Sequence, residues 1–241
     1  MRSTSEVGHA KNIANLNALN THIQALGILY HPSNPKLLLT NLQNKYTIAF
    51  QEQEGVNTLV APYSISVDER EALFQPLSKE LTKLRRAYKA TESVTQKQLD
   101  DFMTISRKLR GTKKYTAKTD TTPEEEGLHH SVSQISFDQR TNNMDLLISL
   151  LQNTPNYNPN EVEYKVQTYQ NLKTQMLAKT QAVTNAFIPL NMARSTRNKT
   201  LYTSEDNLVD LANTAKSYLF TILDSDSAQY KAISQIQFRK D

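Results

Sequence analysis

Apolar side chains recur every three or four positions at the start of the chain: Ile13, Leu16, Leu19, Ile23 and Leu26 fall on one stripe of a helix. Tyr30-His31-Pro32-Ser33-Asn34-Pro35 then supplies turn formers, an Asn or Ser cap and a proline suited to a first helical turn, so a second helix is predicted from about Lys36. Its seam runs through Leu39, Leu42, Tyr46, Ala49 or Phe50, Gln53, Val56 and Val60. Pro62 is predicted to end or kink it, because an interior proline removes a backbone donor and crowds the preceding turn. Ser66 with Glu69 reads as a capping box for a third helix carrying Leu73, Leu77, Leu81, Leu84 and Tyr88. Thr95 with Gln98 is a second such box, opening a fourth helix through Leu99, Phe102, Ile105 and Leu109 to a capping Gly111.

The same plan recurs later in the chain. An ungapped offset of 127 positions brings Asn15 onto Asn142, Leu19 onto Leu146, Tyr30 onto Tyr157, Pro32 onto Pro159, Pro62 onto Pro189 and Arg70 onto Arg197. A constant register that aligns a loop tyrosine and two prolines argues for internal duplication. The second copy carries Met144, Leu147, Ile148 and Leu151, then Val162, Val166, Tyr169, Leu172, Met176, Val183 and Phe187, and after Pro189 the stripe Leu201, Leu208, Leu211, Ala215, Leu219 and Ile222. Ser227 to Phe238 is its short fourth helix. The expectation is an all-α protein of two tandem antiparallel helical bundles, with one continuous elongated bundle as the alternative. The bundles are expected at 1–110 and 131–241, joined by a polar linker at 111–130.

Composition narrows the chemistry. With no cysteine among 241 residues, disulfides, thiol catalysis and the usual zinc clusters are excluded together, and a chain of this size has enough apolar side chains to build a core without them. The start offers no apolar run fit for a signal peptide and no segment reaches 18 consecutive apolar residues, which points to a cytoplasmic protein outside the membrane. Five glycines and no tryptophan suit helices better than an α/β enzyme.

Candidate chemistry is sparse. Glu126 and His129-His130 imitate a di-iron Glu-x-x-His unit, but Gly127 interrupts it and no second unit completes the set. His9, His22 and His31 share no ligand-like spacing, and no phosphate loop, nucleophile elbow or His-Glu-x-x-His motif is present. Catalytic, cofactor-binding and metal residues are therefore all predicted as none. Basic clusters occur at Lys79, Lys83, Arg85, Arg86 and Lys89, at Arg107, Lys108 and Arg110, and at Lys113, Lys114 and Lys118. A net charge of +4 makes them solubility and helix-end features first, phosphate contacts second. Arg70 and Arg197, with Tyr30 and Tyr157, are expected to be structural, the arginines bonding helix-end carbonyls or acids and the tyrosines covering the bundle ends; equivalent anion sites at the two arginines are the functional alternative.

Gly8-His9-Ala10-Lys11-Asn12-Ile13-Ala14-Asn15, the Tyr30-His31-Pro32 turn and Ile105-Ser106-Arg107-Lys108-Leu109-Arg110-Gly111 resemble a family of uncharacterised, duplicated helical proteins common in Bacteroidetes, flavobacteria above all. The resemblance spans essentially the whole chain. It implies a bacterial source and the duplicated helical architecture, and brings no activity, cofactor or site residue with it. The functional expectation is a non-enzymatic structural or protein-interaction scaffold with a protein partner or self-association. A nucleic-acid-associated basic helical protein is the alternative, and a membrane-active bundle the weaker third reading.

Overall fold

In the computed structural model, which describes residues 7–92, 94–111 and 136–240, every regular element is helical, so the protein is all-α. The α-helices are α1 (Val7–Leu26), α2 (Leu39–Phe74), α3 (Leu77–Lys89), α4 (Gln96–Arg110), α5 (Phe137–Gln152), α6 (Val166–Asn198), α7 (Leu208–Ile222) and α8 (Ala228–Gln235). The stripe read for the first helix is buried throughout, from Ile13 to Leu26. Where the seam of α2 offered two choices, Ala49 is fully buried and Phe50 is exposed. The Thr95–Gln98 capping box forms on α4, and Gly111 ends that helix in the left-handed region at φ 68°.

Two prolines behave differently from expectation. Pro62 lies inside a continuous α2 of 36 residues and Pro189 inside a continuous α6 of 33 residues. Both rings face solvent, so water can satisfy the carbonyl that each proline strips of its donor. Buried Val56 and Ser66 on either side of the first, and Val183 and Leu190 around the second, hold the flanking turns in place. Ser66 consequently caps nothing; it is an interior residue of α2, and the chain breaks only at Pro76, in the cap position of α3.

This continuity changes the domain plan. The compact units are not the expected halves 1–110 and 131–241: one combines the described residues up to Tyr63 with those from Ala186 onward, and the other is Ser64–Asn185. Most of the linker expected at 111–130 lies outside the described residues.

In the first unit α1 packs on α7 and α8, with Leu16, Leu19, Leu42, Leu208 and Leu219 fully buried in the core. The segment after α8 is tied to α1 by amides. Asn12 donates to the Arg239 carbonyl at 2.8 Å and accepts from the Arg239 N–H at 3.2 Å, while Asn15 donates to the Gln237 carbonyl at 2.7 Å. A buried Arg197 donates to Gln53 Oε1 at 3.3 Å and to Asn198 Oδ1 at 2.9 Å. In the second unit α4 packs against both α3 and α5 around Leu81, Leu84, Phe102, Leu109 and Met144. Arg140 donates to the carbonyls of Leu109 at 2.7 Å and Phe74 at 3.3 Å, satisfying acceptors that the ends of α4 and α2 leave open.

Some positions 127 residues apart are locally alike. The short 3₁₀ turns Pro35–Leu37 and Val162–Tyr164 correspond, as do the helix starts Leu39 and Val166. Tyr30 donates to the Leu37 carbonyl at 2.8 Å, and Tyr157 to the Tyr164 carbonyl at 2.6 Å. Arg70 and Arg197 diverge: the first lies 3.9 Å above the Phe137 ring, the second donates to amide oxygens.

Burial, with a smaller contribution from Tyr218, pushes the Tyr30 phenol up to about 12. Because the folded state holds this proton more tightly than an unfolded phenol titrating near 10, the associated stability is complete below about pH 10 and is lost as pH rises through about 12. Tyr30→Phe should cost about 1 kcal/mol at neutral pH through the lost bond to Leu37 and should flatten the alkaline fall in stability. Urea unfolding at neutral pH and near pH ~11 measures both.

Candidate functional site

Among the concavities of the second unit, two separate ones differ in the sign of their charge. The first is a cleft of about 680 Å³ between α3 and the start of α6, lined by Glu80 and Lys83 from α3, Glu161, Glu163 and Tyr164 from the approach to α6, and Tyr169 with Leu172 from its first turns. Its volume lies in the range of small-molecule sites. The 3₁₀ turn Val162–Tyr164 sets Glu163 and Tyr164 at the mouth, and the Tyr157 hydroxyl fixes that turn by bonding the Tyr164 carbonyl. Tyr169 is only 3% exposed, yet its hydroxyl has no hydrogen-bond partner among the described residues. Burial raises the Tyr169 phenol well above its ordinary value, helped by Tyr157, Glu80 and Tyr164, so it stays neutral. A second hollow shares Lys83, Glu161 and Tyr164 with this cleft and adds Arg86 and the Asn156–Asn160 loop.

The other concavity lies between α3 and α4, with a volume of about 540 Å³. Arg85, Arg107 and Arg110 line it with Thr82 and Ser106, and Asp100 stands at the same groove. Arg110 donates to Thr82 Oγ1 at 3.1 Å. Ser106 is buried with its Oγ unpartnered, and Arg110 Nε is likewise buried without an acceptor. The basic clusters of α3 and α4 were separate in sequence; antiparallel packing brings one member of the first to two members of the second. The third cluster, Lys113, Lys114 and Lys118, lies outside the described residues, as do Glu126, His129 and His130.

The remaining histidines do not converge. His9 is buried in α1 with Nδ1 2.7 Å from the Tyr202 hydroxyl, which also accepts from Asn12 at 3.3 Å. His22 is half-buried and His31 exposed. Among the described residues no group of three histidine, aspartate or glutamate side chains is placed to hold a metal. No helix there is long and apolar enough to cross a membrane.

No sequence motif marks the acid and tyrosine cleft. Tyr169 is a seam position and Glu161, Glu163 and Tyr164 carry no pattern of their own, so only packing of α3 alongside brings Glu80 to them. The available signal was register: 127 positions earlier stand Asn34, Lys36, Leu37 and Leu42, a different chemical set. No family model, no curated protein and no solved structure matches the chain.

A buried hydroxyl without a partner carries an uncompensated desolvation cost. Ser106→Ala should therefore stabilise the protein by up to about 1 kcal/mol in chloride buffer. A shift of the urea midpoint upward is the expected result; a fall shows that Ser106 is engaged after all.

Proposed function

We propose that the protein is a non-enzymatic interaction scaffold that works by self-association through a helical face. The observation that supports this reading is an uncovered apolar stretch of α6 in the first unit. Ile188 and Met192, one helical turn apart, are 51% and 65% exposed, and neighbouring Phe187, itself exposed, meets Tyr63 of α2 with ring centroids 5.8 Å apart. Large apolar side chains grouped on one face are characteristic of surfaces that another protein covers. The duplicated plan adds to the argument, since repeated helical units serve as extended binding surfaces. Sedimentation over roughly 1–100 μM should show association that Ile188→Glu with Met192→Lys abolishes at unchanged helical content. A chain that stays monomeric over the whole range, and sediments like the variant, removes this face as the contact.

The arginine groove between α3 and α4 favours a second reading, association with nucleic acid. Arg85, Arg107 and Arg110 bring three guanidinium groups to one groove, where Ser106 Oγ and Arg110 Nε are buried without a partner. Retention on RNA or DNA that weakens steeply with salt, and that Arg85→Glu with Arg107→Glu eliminates, is the expected outcome; no retention at low salt rejects it.

A further inference from the structure

We propose that the cleft between α3 and the start of α6 binds a small organic dication of the alkyl diamine or polyamine class. Three carboxylates, Glu80, Glu161 and Glu163, line it against the single ammonium of Lys83, and none of the three carboxylates is ion-paired among the described residues. That leaves a deficit of two positive charges in a partly enclosed space of about 680 Å³. Such a deficit attracts cations, and a diammonium ligand balances it with one molecule.

The Tyr169 hydroxyl is the independent pointer to an occupant. The Tyr169 side chain is almost wholly buried, and its hydroxyl reaches the cleft without a hydrogen-bond partner among the described residues. A phenol kept neutral in this way is an acceptor for an ammonium N–H, and the half-buried ring of Tyr164 lines the same cleft. Leu172, which lines the same cleft, offers an apolar surface to the methylenes that separate the two ends of such a ligand. At one end Lys83 and Arg86 continue into the neighbouring hollow, so cation recognition stops there.

The corresponding positions of the first unit act as an internal control. There Leu37 and Leu42 occupy the places of Tyr164 and Tyr169 and are buried in the core. Lys36 replaces Glu163 and is bound to Asp206 at 2.6 Å. The helical frame thus forms without carboxylates or phenols at these sites, and packing alone does not require them in the second unit.

Calorimetry on the whole chain tests the proposal, with 1,4-diaminobutane and spermidine as probes and n-butylamine as a one-charge comparison. Binding of the diamines tighter than n-butylamine by roughly tenfold is expected for a second charge-assisted contact. Glu161→Gln with Glu163→Gln should remove that preference, and Tyr169→Phe, which keeps the ring and the fold, should weaken the diamines about tenfold. Circular dichroism verifies folding of each variant, and Glu163→Gln alone, at an exposed position, gives a test that does not depend on core packing. No heat with either diamine at millimolar concentration overturns the proposal. So does equal affinity for n-butylamine, or binding that all the variants retain.

Discussion

A helix with one apolar stripe is stable only when another surface covers that stripe, and for α1 the covering surface comes from α7 and α8. The rest of the architecture follows from that burial. α1 could have been closed by the helices next to it in sequence if the chain had reversed at Pro62. It does not reverse, because the proline faces water and costs one backbone pair in a helix that buried side chains anchor on both sides. The stripe of α5 is covered in the same manner, by α4, whose sequence precedes it.

Much of this was legible from periodicity. Ile13 to Leu26, Leu77 to Tyr88 and Met144 to Leu151 all read as stripes and all are buried. The Thr95 capping box and Gly111 were equally readable, because their signals are local and geometric. What escaped the reading was decided between distant residues. A capping box at Ser66 satisfies the sequence rule, yet the helix already running through it has no free N–H to cap. Likewise Val162 and Phe187 continue an apolar pattern but stand exposed, Phe187 meeting only the ring of Tyr63 among the described ring contacts.

The concavities show a related division. Basic residues on α3 and α4 could be counted from sequence, but which of them share a groove depends on helix rotation and pairing, and Arg85 joins Arg107 and Arg110 while Lys89 and Lys108 do not line it. In the acidic cleft the decisive fact is the burial of Tyr169 beside uncompensated carboxylates, a combination that no motif spells out. Positions 127 residues apart are alike at some points and unlike at others: Tyr30 and Tyr157 make the same bond to a 3₁₀-turn carbonyl, whereas Leu42 stands where the later segment has Tyr169.

The amide clasp of Asn12 on Arg239 spans nearly the length of the polypeptide. During synthesis the second unit, being one uninterrupted stretch, has all of its residues available as soon as Asn185 has emerged. The first unit has no such opportunity. Its leading helix cannot complete its burial until α7, α8 and the segment beyond them have been made, so among the described helices α1 waits longest on the growing chain, within reach of chaperones, proteases and neighbouring nascent chains.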